Sequence, residues 1–534
     1  MIRKLVFFQI FVLLILAADS CSTERTDYNQ KGFYVSGDFH QHTTYSGGVY
    51  SIGYVMEASN KYELDWWANS DHGGTREFWG RVSGDDLGTR VLWGCTGIKT
   101  LGSPQEAEEE GFMWRWQSLK YYNFQDILLW RRIFPEKLIL QGFEWNVPGH
   151  EHANISIITN QFDTKENCDA LAQFEYMFDD DDKDTTGGLE FGWKKSTLDG
   201  KEKAREALKW LQTNYPFQTY VVPSHPDKSG YYLISDFRDF NNIAPDVSFG
   251  FDAMPGHQKN STRGSYDLDE APWQVEMNGK KGATFGGAGM FASKIGGVWD
   301  ALLSEGRKWW ISASSDYHDD EDFYPGEYQK TYVWVTKKND PQALIDGMRS
   351  GNRFIVTGGL ITDMSFRAGN ATMGETFKTD KEKVKIEIRV FDPDKSNYNT
   401  YSDYTNPELD HIDLIAGQVS GLIAPDHPDY TRDNVSTTKV IARFDATGGV
   451  KDVNGLESIK WEDSGNGWKK ITYQAEVNGK MYFRLRGTNL ALNTPGDLDG
   501  AGNPLPDIAE ENNAVKAFSD LWFYSNPVFV EQTK

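Results

Sequence analysis

The sequence predicts an α/β barrel followed by a smaller β-rich domain. Up to about residue 358, short apolar runs alternate with amphipathic segments, and several of those runs stop at a histidine or an aspartate. Strands that end this way around a barrel bring the side chains that follow them to one face of the fold. From residue 360 onward, alternating apolar and polar residues separated by Gly, Asn and Asp turns predict a β-sandwich over 360–530.

The alternation is visible element by element. Apolar runs predict strands at 33–35, 64–67, 138–140, 220–223 and 309–311. Amphipathic spacing predicts helices at 51–62, 201–213, 298–303 and 341–348. Two insertions interrupt the pattern. Residues 75–135, rich in Trp, Glu and Tyr, are expected to form lid or rim helices, and residues 160–200 contain the acidic run 179–182, expected to be solvated.

Composition limits the partners that the chain can have. The 534 residues carry a formal net charge of −23, with 39% hydrophobic and 25% charged residues. Nucleic acids and anionic membrane surfaces require a basic patch, and no such patch is visible. The charge therefore predicts no nucleic-acid partner and is explained by solubility.

The N-terminus has the features of an export signal. Arg3 and Lys4 precede an apolar run at 5–18 that is too short for an ordinary membrane-spanning helix. The run ends in Ala-Asp-Ser-Cys, which resembles a bacterial lipobox and would place a lipid on Cys21; ordinary cleavage beside Cys21 is the alternative. With residues 1–21 as the signal, we expect a periplasmic or lipid-anchored bacterial protein whose only contact with a membrane is that anchor.

The candidate site residues are the histidines and carboxylates near the ends of the apolar runs. They are His40, His42, Asp71, His72, Glu144, His152, His225, Asp316 and His318. Imidazole together with carboxylate is a ligand set for Zn, Mn or Fe rather than for Ca or Mg alone. The pattern therefore predicts a multinuclear metallohydrolase.

Four motifs in order resemble a known family. They are GDFHQHTTYS at 37–46, SDH at 70–72, PSHP at 223–226 and SDYH at 315–318. Together they resemble the successive motifs of PHP (polymerase and histidinol phosphatase) domains over residues 33–358. Three further stretches resemble the secreted carbaryl-hydrolase-like (CehA/McbA) branch: GFE at 142–144 with HAN at 152–154, PGHQ at 255–258, and YSNP at 524–527.

The resemblance implies a distorted (β/α)7 barrel with two or three divalent metal ions at the carboxyl ends of its strands. The first metal would be held by His40, His42, Glu144 and Asp316. Glu144 would bridge to a second, held also by His152 and His225. His72 and His318 would belong to a third position. Family members with three metals usually supply another Asp or His shortly after the H-x-H motif, where this chain has Gly47. The third position would then be empty, weakly occupied or completed by Asp319.

Chemical reasoning assigns roles to the catalytic candidates Glu144, Asp71 and Asp316. A bridging carboxylate such as Glu144 holds two cations together, and a hydroxide between them attacks phosphorus or an acyl carbon. Asp71 is better suited to orienting a ligand than to binding metal.

Three assignments are less direct. His150 is an alternative ligand to His152, which is preferred because Asn154 follows it. His257 and Arg263 are candidate substrate contacts, and Arg263 could bind a phosphate oxygen.

Three functions remain open at this point. The leading hypothesis is a phosphoesterase that acts on small phosphomonoesters or phosphodiesters. A carbamate or carboxylic ester hydrolase is the alternative, because metal hydroxide serves both reactions and the tryptophans around Trp114, Trp116 and Trp130 could line an aryl pocket. A non-catalytic glycan- or metal-binding surface lipoprotein is the third hypothesis.

Overall fold

The computed structural model of the chain describes residues 32–72, 114–159, 162–228, 230–256, 259, 272–277, 279–393, 407–508 and 513–533. The signal segment 1–21, with Cys21, and the candidate substrate residues His257 and Arg263 lie outside the described residues, as does most of the insertion at 75–135. Within the described ranges, no helix is both long enough and apolar enough to cross a membrane.

The described chain is a mixed α/β protein. Its strands are β1 Phe33–Asp38, β2 Trp66–Ala68, β3 Leu138–Leu140, β4 Gly142–Asn146, β5 His152–Ile157, β6 Thr219–Pro223, β7 Gly250–Pro255, β8 Val275–Met277, β9 Lys280–Gly282, β10 Trp310–Ser314, β11 Gln329–Val335, β12 Arg353–Thr357, β13 Asp363–Ala368, β14 Ala371–Thr372, β15 Thr376–Thr379, β16 Lys383–Phe391, β17 His411–Gln418, β18 Lys439–Asp445, β19 Ile459–Lys460, β20 Glu462–Asp463, β21 Trp468–Glu476, β22 Lys480–Thr488, β23 Trp522–Ser525 and β24 Val528–Gln532.

Ten α-helices lie in the described residues, nine of them before residue 358. They are α1 Ile52–Lys61, α2 Arg115–Ser118, α3 Phe124–Ile133, α4 Lys165–Phe178, α5 Gly200–Asn214, α6 Ile234–Ile243, α7 Met290–Ser293, α8 Val298–Ser304, α9 Pro341–Ser350 and α10 Asn513–Ser519. A π-helical turn at Leu119–Asn123 joins α2 to α3, and short 3-10 turns lie at Gly187–Phe191 and Pro428–Thr431. The four helices predicted from amphipathic spacing are confirmed as α1, α5, α8 and α9.

Apart from the two-stranded β8–β9 pair, the described strands before residue 358 form three separate ladders. Strands β1, β2 and β3 are parallel neighbours, and β1 continues through antiparallel pairs to β11 and β12. Strands β4, β5 and β6 form an antiparallel sheet, and β7 pairs in parallel with β10. Among the described strands, these ladders do not join into a closed cylinder. The barrel therefore stays a prediction.

Backbone hydrogen bonds connect the three ladders where the strands end. The N–H of Asp316 donates to the carbonyl of His40 (2.8 Å), and the N–H of Ser70 donates to that of Gln41 (3.3 Å). The N–H of Glu144 in turn donates to Ser70 (2.8 Å). Through these bonds, the segments that follow β1, β2 and β10 lie next to one another and to strand β4. The histidines and carboxylates that terminate the apolar runs therefore face one another.

The acidic run 179–182 is not uniformly solvated, so the expectation of a solvated loop is wrong in part. Asp179 and Asp182 are buried, whereas Asp180 and Asp181 are exposed. Asp179 accepts hydrogen bonds from the N–H of Asn146 (3.0 Å) and from Arg115 (3.3 Å). Asp179 is buried because it joins the insertion to the end of β4 and to α2, whereas Asp182 is buried within the insertion, where Lys195 donates to it at 3.0 Å.

After residue 358 the chain forms two sheets that share one apolar cluster. The five-stranded sheet has the order β14–β13–β16–β21–β20, and β17, β18, β22, β23 and β24 belong to the large sheet. Ile386 and Ile388 from the first sheet and Leu414 and Leu485 from the second lie in that cluster. Because β12 pairs with β23, the large sheet continues from the first region into the second without a break.

A buried ion pair crosses between the two regions. Arg484 on β22 donates two hydrogen bonds to Asp300 on α8, at 2.8 Å and 2.7 Å, and both side chains are fully buried. The hydroxyl of Tyr482 donates to the same carboxylate at 3.0 Å. A buried charge requires a partner, since low-dielectric surroundings penalise it strongly. The pair therefore couples helix α8, which precedes residue 358, to strand β22 of the C-terminal region.

Arg484→Met should lower the free energy of unfolding by about 3–5 kcal/mol, because Asp300 is left buried without its counter-charge. Urea denaturation followed by circular dichroism measures the change. The matched control is Lys451→Ala, which removes an exposed pair with Glu457 at 3.2 Å and should cost less than about 0.5 kcal/mol. Equal losses in the two variants would contradict the coupling.

Candidate metal centre

The carboxylate of Glu144 lies at the centre of the candidate site. Its backbone is held in β4, and its side chain is almost completely buried. Five imidazole nitrogens approach it, each at 3.2 Å. Oε1 faces His40, His152 and His225, while Oε2 faces His42 and His72. Each of the two oxygens thus has its own set of nitrogen donors, the arrangement expected of a carboxylate that bridges two cations.

A second carboxylate, Asp316, completes one side of the cluster. Its Oδ1 lies 2.9 Å from Nε2 of His40 and 3.4 Å from Nε2 of His42. Asp316 and His225 both have positive φ angles, 48° and 30°. Such angles are strained for residues other than glycine, and strain of this kind concentrates at functional sites. Here it turns the chain sharply after β10 and after β6, where each side chain enters the cluster.

Three groups of side chains have ligand atoms close enough to share a metal ion. They are His40, His42, Glu144 and Asp316; His72, Glu144 and His152; and Glu151, His152 and His225. The first group matches the set that the family resemblance implies. His72 lies with His152 rather than with His318, and Glu151 was missed by sequence reasoning. Its position beside His152 was the only available signal.

His318 stands at the edge of the cluster. Its Nδ1 lies 2.8 Å from the carbonyl of Asp316, and its ring stacks on His42 with 4.2 Å between centroids. Among the described residues, no group of metal-capable side chains includes His318 or Asp319. A Cβ added at Gly47 would lie 3.2 Å from Cδ2 of His318. Gly47 thus faces His318 but supplies no ligand, so the third metal position stays a prediction.

Asp71 supports the cluster without entering it. Its Oδ1 accepts hydrogen bonds from the hydroxyl of Ser46 (2.8 Å) and the N–H of Thr43 (2.6 Å). The Ser46 hydroxyl also lies 2.9 Å from Nδ1 of His42. Asp71 therefore orients the His42 ring through Ser46 and leaves its Nε2 directed at Glu144.

His150 and His152 have different surroundings. His152 directs Nδ1 at Glu144. His150 instead places Nε2 3.3 Å from Asp236 and stacks on Tyr232 at 5.2 Å. Between the two alternatives, the geometry favours His152 as the ligand.

The charges of the cluster depend on one another. Burial disfavours the charged form of Glu144, but the imidazoles, His40 foremost, hold the pKa of its carboxyl well below the usual range. Burial likewise opposes protonation of His40, yet Asp316 and Glu144 hold its pKa well above the ordinary value. The pKa of His318 shifts in the opposite direction to that of His40. Burial and then the charge of His42 lower it to about 4.

The donor set fits divalent metal ions. Imidazole nitrogens and carboxylate oxygens converge in a buried space, and a bound cation would replace the protons that now hold the cluster together. Within the part of the chain that the structure describes, the buried Nδ1 atoms of His40 and His225 have no hydrogen-bond partner. Oδ1 of Asp316 has only imidazole nitrogens beside it, at 2.9 Å and 3.4 Å, and a buried carboxylate oxygen that faces two imidazoles is the kind of atom that binds a metal ion.

Comparisons with known proteins find matches among solved structures only. No family model matches the chain, and no curated protein matches it. Among solved structures, a two-domain protein containing a predicted PHP-like metal-dependent phosphoesterase from Bacteroides vulgatus is 11% identical, with 83% of this chain and 96% of that chain covered and a TM-score of 0.29. PsfC from Pseudomonas syringae is 12% identical over 58% of this chain and 88% of its own, with a TM-score of 0.27.

Glu144→Ala should remove most of the bound metal, because Glu144 belongs to two of the three ligand groups. Metal content after reconstitution with zinc or manganese, measured by plasma mass spectrometry, gives the result. Glu457→Ala makes the same chemical change at an exposed site and should keep the metal. Full retention of metal by Glu144→Ala would contradict the bridging role.

Asp126→Asn tests the loop that carries the ligands. The buried hydroxyl of Tyr45, three residues after His42, donates to Asp126 on α3, and burial raises the pKa of Asp126 to about 6. This folded pKa lies above the unfolded value of about 3.9, so stability is lost as pH rises from about 4 to about 6. The asparagine variant lacks that loss.

We expect the stability of Asp126→Asn relative to the parent to increase between pH 4 and pH 7 by up to about 2–3 kcal/mol. Both proteins are kept in EDTA, so that metal release does not differ between them, and urea denaturation is measured at each pH. A difference that stays constant across this range would show that Asp126 does not have a raised pKa.

Proposed function

We propose that the chain is a metal-dependent hydrolase of the PHP type. The observation that carries the proposal is the buried Glu144 carboxylate with five imidazole nitrogens at 3.2 Å. The proposed cofactors are two or three ions of zinc, manganese or iron, because mixed nitrogen and oxygen donors suit these metals. The backbone bonds that link the three ladders support a distorted (β/α)7 barrel as the scaffold.

The residues of the cluster have different roles in the proposed reaction. Bound divalent metals would supply an activated water and neutralise negative charge that develops on the substrate. Glu144 and Asp316 would hold the cations and offset part of their positive charge. Asp71 positions His42 through Ser46. Burial of His40, His42 and Glu144 keeps bulk water away and strengthens each of these interactions.

The positive charge of a lysine near the cluster favours a phosphoester substrate. Lys228 lies just after His225, and its N–H donates to the His225 carbonyl at 3.0 Å. Burial and then the charge of Lys228 lower the pKa of His225. On the other side, burial, opposed by Glu144, and the charge of Arg115 hold the pKa of His72 well below the ordinary value. Arg115 is itself paired with Asp179 and Asp181, so the positive charge that suits an anionic substrate comes mainly from Lys228.

The carbamate or carboxylic ester alternative receives less support. Trp116 packs with its centroid 5.7 Å from Trp193 and 6.2 Å from Tyr176, within a buried aromatic cluster. Trp130 packs against a second cluster around Tyr45. These tryptophans are accounted for by core packing, so they do not supply the aryl pocket that this alternative needs.

The proposed biological setting follows from the sequence. Residues 1–21 would direct export, and a lipid on Cys21 would be the only membrane contact of a periplasmic or surface-anchored enzyme. The substrate would be a small phosphomonoester or phosphodiester, and no nucleic acid is expected to bind.

The chain lacking residues 1–21, reconstituted with zinc or manganese, should hydrolyse p-nitrophenyl phosphomonoester or phosphodiester. His40→Ala and Glu144→Ala should reduce turnover to background, and Asp71→Asn should lower it by about 10–100-fold through misorientation of His42. Glu457→Ala is the control that should retain full activity. Turnover of p-nitrophenyl acetate or of an aryl carbamate alone would move the assignment to the alternative. Tight metal binding without any turnover would contradict the enzyme proposal.

A further inference from the structure

A groove of about 800 Å³, open to solvent, lies in the C-terminal region. One wall is formed by β16 and β21 of the five-stranded sheet, and the other by β17, β18 and β22 of the large sheet. A cleft of this size is within the range of about 300–1,000 Å³ that holds small organic ligands.

Part of the groove is lined by apolar side chains that pack against the core and remain partly exposed. Ile441, Tyr473 and Met481 line it, and all three are only partly buried while they pack against the apolar cluster between the sheets. Apolar side chains that join a core and remain open to solvent within a cleft commonly mark a binding site. The Tyr473 ring is fixed edge-to-face against Phe444, with 5.8 Å between centroids.

The walls of the groove are polar and electrically balanced. Gln532, one of three amide side chains there, accepts a hydrogen bond from the N–H of Gly479 (3.2 Å) and donates to the carbonyl of Lys381 (3.3 Å), so its position is fixed. The charged lining consists of two lysines and two glutamates. One pair, Lys383 and Glu476, is 3.4 Å apart across neighbouring strands.

We propose that this groove binds a neutral carbohydrate chain. A pyranose ring presents C–H faces to apolar or aromatic side chains and hydroxyls at its edges to amides and paired charges. The groove offers both, with Tyr473 as the aromatic surface and Gln418, Asn478 and Gln532 as amide partners. Cancellation of the lining charges disfavours a polyanion or a polycation, and the polar walls disfavour a lipid chain.

The groove is separate from the candidate metal centre, since none of its lining residues belongs to the ligand groups. Carbohydrate binding would therefore persist when metal is removed. It would hold the protein on a glycan surface while the metal centre acts independently.

The proposal is tested by isothermal titration calorimetry. The metal-loaded chain lacking residues 1–21 is titrated with short neutral gluco-, galacto-, manno- and xylo-oligosaccharides. At least one series should bind, with the same affinity in EDTA. Tyr473→Ala should weaken binding by about tenfold or more, as expected for a central aromatic contact. Asn478→Ala, at an exposed position where folding is not at risk, should weaken it measurably. Tyr54→Ala removes an exposed tyrosine outside the groove and should bind as the parent does.

Failure of every neutral series to bind would overturn the proposal. Unchanged affinity in both Tyr473→Ala and Asn478→Ala would overturn it as well, because binding would then lie elsewhere. Polygalacturonate and oleate serve as acidic and apolar probes, and binding of either in preference to the neutral sugars would assign the groove to another ligand class. None of these outcomes depends on hydrolytic activity, so the result is separate from that of the proposed function.

Discussion

The structure depends most on a buried carboxylate surrounded by imidazoles. Glu144 is almost fully enclosed, and such burial would be very unfavourable for an isolated negative charge. Five imidazoles and the neighbouring Asp316 make up a set whose charges offset one another. This constraint explains why side chains from segments as distant as 40–42, 72, 152, 225 and 316 converge at Glu144. It also explains why the strained φ angles of His225 and Asp316 are tolerated.

The second level of organisation is the set of bonds that hold those segments in place. The carbonyls of His40, Gln41 and Ser70 accept backbone N–H groups from three other segments, so the chain beyond each strand end is itself paired. Asp71 adds side-chain bonds to Thr43 and Ser46. A ligand set supported in this way can be positioned before a metal or a substrate arrives, which lowers the cost of ordering on binding.

The C-terminal region is joined to this centre through the core rather than through a loose linker. Strand β12 pairs with β23, and Arg484 reaches Asp300 on α8 in a fully buried pair. The groove between its two sheets lies outside the ligand groups. The architecture thus combines a buried connection between the two regions with two chemically different features: a charged, enclosed cluster and an open cleft whose lining charges cancel.

Local patterns in the sequence predict the candidate ligand residues and their positions along the chain. Strand ends with His or Asp, the four amphipathic helices and the position of Glu144 are local features, because periodicity and residue type are properties of the chain. The tertiary structure supplied the geometric reason for the preference for His152 over His150, because His150 contacts Asp236 instead of Glu144. It alone placed His72 beside His152, brought Glu151 to His225 and buried Asp179 in a run expected to be solvated. Local pattern predicts which side chains follow a strand, but pairing between strands distant in sequence decides which atoms meet. For the same reason, the sequence marked a change of pattern near residue 360 but could not predict that one sheet continues across it.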